Sequence, residues 1–142
     1  MKDPIGWRLL RWLYGGYFII LGVVTELQMF GLFPDPNWDK GMSAGSAAFL
    51  EAMLKTGYLI PLIALVWIAS GVAFLFQRTA PLGVVLLAPV MVNIVLADTL
   101  LDTVYLWAAA HAAPLVLLAW RYRSAFLDLW NYSPPAAGGR SR

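Results

Sequence analysis

The chain has 142 residues, 61% of them hydrophobic and 13% charged, with a formal net charge of +2 and a mean hydropathy of +0.70. A soluble domain this apolar would expose too much hydrocarbon surface to stay monomeric; the net charge is small, and the basic residues sit at the expected membrane boundaries rather than in a nucleic-acid-style patch. The absence of cysteine excludes disulfides, thiolate metal sites and a redox-active cysteine pair of the chain's own.

At roughly 20 apolar residues per crossing, the length allows four membrane helices and little else. The expected fold is an all-α integral membrane protein: one four-helix bundle over residues 1–132, with a polar tail at 133–142 whose composition is that of a disordered segment. The first span is predicted over about 6–30, with Lys2, Arg8, Arg11 and the interface aromatics Trp7, Trp12 and Tyr14 at its start. Its apolar run is too long for a cleaved signal peptide and is followed at once by Glu26. Gly15 and Gly22 are seven apart and share a face, a small-residue stripe suited to close helix packing.

The stretch GLFPDPNWDKG at 31–41 reads as a loop. A short helix over 43–55 follows, with Ser46 as its expected cap, an apolar stripe of Phe49, Leu50, Met53 and Leu54, and Glu51 and Lys55 spaced i,i+4. It is expected to lie on the membrane surface before the second span at about 57–76. Pro61 falls in the first turn of that span, where its missing N–H costs little.

The third span, about 81–101, is the most informative stretch. It carries Asn93 and Asp98, with Asp102 one turn further on, and an aspartate at the centre of a membrane helix costs roughly 2.5–3.5 kcal/mol on insertion scales. Pro89 frees the carbonyl of Val85. The fourth span, about 104–120, places His111 among alanines, and Pro114 frees the carbonyl of Ala110. Four spans with the N-terminus inside put eight basic residues on the inner side (Lys2, Arg8, Arg11, Arg78, Arg121, Arg123, Arg140, Arg142) and two, Lys40 and Lys55, outside. That bias places both termini in the cytoplasm, in a multi-pass protein of the cell's inner membrane.

At 1.5 Å per residue, Glu26 and Asp98 each lie roughly 25 Å from the inner ends of their helices. His111 lies roughly 10 Å down from the outer side, with Trp67 slightly deeper. The four residues, one per span, therefore form a candidate polar layer in the outer half, with Asp102 above it. Asn93, about 140° round the helix from Asp98, points elsewhere. Three readings stay open: hydrogen bonds that fix helix register, a pocket for a quinone, and a proton or ion path. A path needs polar groups in the inner half, where Ser70 and Tyr17 are almost the only ones. His111 is the single histidine, so bis-histidine haem within one chain is excluded, and nothing in the spacing selects for a metal.

Residues 48–123 resemble a known family. TGYLIPLIALVWIASG (56–71), APLGVVLLAPVMVNIVL (80–96) and AWRYRSAF (119–126) are similar to the DoxX-like membrane proteins, relatives of the small subunit of thiosulfate:quinone oxidoreductase. The family often has a glutamate where this chain has Trp67, and a histidine where it has Asp98; Asn93 and Asp102 match. The resemblance implies a four-helix membrane bundle in a quinone-linked redox assembly, with the bilayer and other membrane or peripheral redox subunits as partners. The chain's own residues include no self-contained redox motif, so the implied role is that of an accessory subunit. A purely structural subunit and a quinone oxidoreductase in its own right are the alternatives.

Overall fold

A computed structural model describes residues 3–34 and 40–130. Its elements are α1 (Ile5–Met29), α2 (Ala44–Lys55), α3 (Leu59–Leu75), α4 (Ala80–Leu96), α5 (Tyr105–Arg121) and α6 (Arg123–Trp130). A π-helical turn, Ala97–Leu101, extends α4. Among the described residues there is no strand. The predicted tail at 133–142 and the loop centre at 35–39 lie outside the described residues.

Local chemistry sets the helix ends. α1 starts behind Pro4 and stops at a left-handed Gly31, φ 69°. There the Gly31 amide donates to the Gln28 carbonyl and the Leu32 amide to that of Leu27, a pairing that satisfies the last carbonyls of a helix. α2 is capped by Ser43, whose side chain accepts from the Ser46 amide at 3.1 Å. The expected cap, Ser46, instead occupies the third helical position. Gly57, φ 74°, separates α2 from α3, and the two helices meet at 93°.

Side-chain size decides which helices touch. A β-carbon on Gly71 would lie 2.6 Å from the Gly15 carbonyl, and one on Gly15 would lie 2.8 Å from the Gly71 carbonyl. A β-carbon on Gly22 would meet the Ala64 carbonyl at 2.6 Å. α1 and α3 therefore run antiparallel with their backbones in contact, which is how membrane helices gain packing without a hydrophobic driving force. Gly16 meets open space. α4 packs on α3, and α5 on α4; α1 touches α5 only lightly. Phe18, Phe74, Leu87 and Leu118 are fully buried at the centre, and the Ser70 hydroxyl donates to the Val66 carbonyl of its own helix.

The two ends of the bundle are tied by polar contacts. At one end the buried Asp3 carboxylate accepts from Arg121 at 2.9 Å and from the Tyr122 hydroxyl, while its amide donates to Gln77. These bonds gather the start of α1, the α3–α4 turn and the end of α5. At the other end the Ser43 amide donates to Asp102 at 2.8 Å, fixing the start of α2 to the end of α4.

Among the described residues two helices, Ile5–Met29 and Ala80–Leu101, are long and apolar enough to cross a membrane, and a third crossing is available if α2 and α3 form one bent span. α5, with 17 residues, is about 25 Å long, against about 30 Å for a bilayer core. The flanks suit a membrane protein: Leu106 is 85% exposed and Leu13 73%, positions that water would penalise.

Candidate functional site

α1 packs backbone to backbone on α3 and only lightly on α5, and a groove of about 300 Å³ lies between α1 and α5. It is lined by Leu10, Leu13, Tyr14 and Tyr17 from α1, and by Trp107, Ala110, His111 and Pro114 from α5. Leu10, Leu13, Tyr14 and Tyr17 follow helical spacing, so one face of α1 supplies one wall.

The polar part of the groove is a tyrosine–histidine pair. The Tyr17 hydroxyl lies 2.9 Å from His111 Nε2, and His111 Nδ1 lies 3.1 Å from the Trp107 carbonyl. A carbonyl only accepts, so Nδ1 carries a proton, and in neutral His111 the remaining nitrogen accepts from the Tyr17 hydroxyl. Trp107 stands edge-on to the imidazole at 4.7 Å between ring centroids. Below the pair, the Tyr14 hydroxyl donates to the His111 main-chain carbonyl at 2.7 Å. That carbonyl is one residue along from Ala110, where Pro114 was expected to leave an opening; a side chain inserted beside a proline is a recognised cause of such local loosening.

This arrangement has two hydrogen-bonding states. With neutral His111, the Tyr17 proton is committed to Nε2, and the pair offers a guest the phenol oxygen as an acceptor. With His111 doubly protonated, Nε2 donates to the phenol oxygen and frees the Tyr17 proton for a guest. Asp98 lies within electrostatic range of both Tyr17 and His111.

The other expected site residues take up different places. Twelve positions past Ile5, Tyr17 is ~18 Å along α1, and Glu26 is ~32 Å along it. Trp67 of α3 is linked to the pair through rings: it is 6.3 Å from Phe18, which is 5.0 Å from Tyr17. Glu26 Oε1, Trp67 Nε1 and Asp98 Oδ2 are buried with no hydrogen-bond partner. A buried polar group left unpaired costs about 1–3 kcal/mol, so each of these atoms has capacity for a polar guest. Asn93 sits on the exposed flank of α4. Asp102 belongs to the end of the bundle, where the Ser46 hydroxyl and the Ser43 amide hold its carboxyl below the usual carboxylate range.

Tyr14 and Tyr17 are absent from the expected site. Their signal was present: His111 is ten positions before Arg121, so ~15 Å from the same end of the bundle, level with Tyr17. Among the described residues no cluster of histidine, aspartate and glutamate could hold a metal ion.

Fold and groove together define an all-helical chain with membrane-length helices and a side-opening pocket. Comparison with family models, curated proteins and solved structures finds no match for this chain.

Proposed function

We propose that this chain is a four-span membrane protein that holds a quinone ring in the groove between α1 and α5, as an accessory subunit of a redox assembly. The observation that carries the reading is the Tyr17–His111 pair at 2.9 Å in an otherwise apolar groove of about 300 Å³. Ligand pockets commonly combine an apolar lining with a few placed polar groups. A quinone carbonyl accepts a hydrogen bond and a quinol hydroxyl donates one; the pair offers a donor in one protonation state and an acceptor in the other. The groove opens sideways, so an isoprenoid tail would lie along the lipid-facing flank beside Leu13.

The four-span topology rests on four antiparallel helices, with α5 crossing in a locally thinned bilayer, a cheap adjustment to mismatch. The 93° bend between α2 and α3 suits a surface helix leading into a span. Arg8, Arg11, Arg78, Arg121 and Arg123 collect at the Asp3 end and Lys40 and Lys55 at the other, which favours the Asp3 end as cytoplasmic. The DoxX-like resemblance points the same way. With no cysteine and one histidine, the chain depends on a partner for electrons.

The test is purification of the full chain in mild detergent, followed by solvent extraction and detection of bound quinone. Wild type is expected to retain quinone, Tyr17→Phe to retain less, and His111→Ala to retain almost none. Equal quinone in wild type and His111→Ala, or none in wild type after supplementation, would overturn the proposal.

A further inference from the structure

The Asp3 end of the bundle holds an unbalanced charge. Arg11 is only 4% exposed, and its Nε and Nη1 atoms are buried with no hydrogen-bond partner. Those nitrogens lie on different edges of the guanidinium, so neither edge is fully used. An arginine stays charged in a protein, and an uncompensated buried charge is strongly destabilising. Arg11 lies within electrostatic range of Tyr122, and the acid there is already engaged: Asp3 accepts from Arg121 on one oxygen and from Tyr122 on the other. Arg8 and Arg123 are exposed and lie over Trp12 and Trp120, and Arg78 is exposed. At this end the buried Arg11 and the partly exposed Arg121 therefore share one carboxylate, and that carboxylate is committed to Arg121 and Tyr122, which leaves Arg11 calling for an anion of its own.

Depth narrows its identity. Arg11 is six positions past Ile5, so ~9 Å along α1, at the level where a span meets the headgroups. A guanidinium in this position matches a phosphate oxyanion in charge and in hydrogen-bond geometry. We propose that Arg11 is the anchor of a phosphate-binding site, filled by the phosphate of a membrane lipid or by free phosphate, and independent of the α1–α5 groove.

The experiment follows thermal unfolding of the full chain, delipidated in mild detergent, with additions at constant ionic strength. The probes are inorganic phosphate, phosphatidic acid, phosphatidylglycerol and, as the neutral-headgroup reference, phosphatidylcholine. At a hundredfold excess over Kd, a site of this kind raises Tm by about 5 °C or more. A rise with the anionic lipids alone assigns the phosphate to a lipid, and a rise with inorganic phosphate as well assigns it to an anion site open to solution. Arg11→Gln is expected to abolish the shift, and Arg8→Gln to leave it intact. If Arg11→Gln does not fold, Arg11→Lys, which keeps the charge and loses the planar donor set, is expected to lose at least half of it. No shift in wild type with inorganic phosphate or either anionic lipid beyond that with phosphatidylcholine, or an equal shift in the Arg11 variants, overturns the proposal.

Discussion

Substituting alanine for Gly71 isolates the contact that sets the geometry of the bundle. The new β-carbon would stand 2.6 Å from the Gly15 carbonyl oxygen and 3.0 Å from the Ile19 amide nitrogen, both main-chain atoms. A carbon–oxygen contact settles near 3.3–3.6 Å, so the helices must part by about 0.7–1 Å at the crossing. A gap of that size forfeits about a quarter to a half of each dispersion contact, and overpacking of this kind costs about 1–3 kcal/mol. Alanine's better helix propensity returns about 1 kcal/mol, leaving a net loss of roughly 0–2 kcal/mol. Gly16→Ala is the matched control: it gains the same propensity and meets nothing within 4 Å. The two variants should therefore differ by about 2 kcal/mol, roughly 30-fold in the unfolding equilibrium. Unfolding in mixed micelles, titrated with a denaturing detergent and followed by tryptophan fluorescence, reads that difference. Variants within about 0.5 kcal/mol of each other would refute the claim that backbone contact at Gly15 and Gly71 holds α1 to α3.

Three further predictions concern the tied ends. Tyr122→Phe removes a donor to a buried carboxylate and should cost about 1.5–3 kcal/mol in the same assay. Burial, and then the hydrogen bond to and charge of Asp3, push the Tyr122 phenol up to about 12, against about 10 when unfolded. Its contribution should be complete below pH ~10 and vanish as pH rises to ~12, a slope that Tyr122→Phe should lack. Asp3→Asn leaves a partly buried arginine without its carboxylate and should cost about 3 kcal/mol; a loss below about 0.5 kcal/mol would show the pair to be incidental. The depressed Asp102 carboxyl gives the opposite sign: docking of α2 holds above pH ~4 and weakens as pH falls through the lower folded-state value. The protection of the Ser43 amide against hydrogen exchange, relative to its intrinsic rate, should fall there, and Asp102→Asn should remove that pH dependence.

The helices were legible because apolar run length and punctuation are local properties. The predicted segments at 6–30, 57–76 and 104–120 became Ile5–Met29, Leu59–Leu75 and Tyr105–Arg121. The end of α4 was not legible, because nothing in ADTLL announces that the Asp102 amide will reach back five residues to Ala97. Ser43 and Ser46 are equally good caps by type, and which one takes the role depends on where the chain turns. For the site, His111 stood out because an ionisable group among alanines has a high cost. Tyr17 did not, because in the sequence it stands only as an isolated polar group of the inner half, and its partner is 94 positions away. The Asp3 cluster was hidden for the same reason: its members look like unremarkable ends until the fold joins them.

That closure has a consequence for how the protein is made. Asp3 is separated from Tyr122 by 119 positions, so its carboxylate has neither of its two side-chain partners until nearly all of the described chain has been synthesised. Until α5 arrives, the segment just before α1 keeps a bare carboxylate, with Arg11 about two turns into the helix. The earlier helices can pair through their glycines in the meantime. The last helix then acts as a latch, and a nascent chain truncated before Arg121 should hold its helices yet expose its N-terminus to protease.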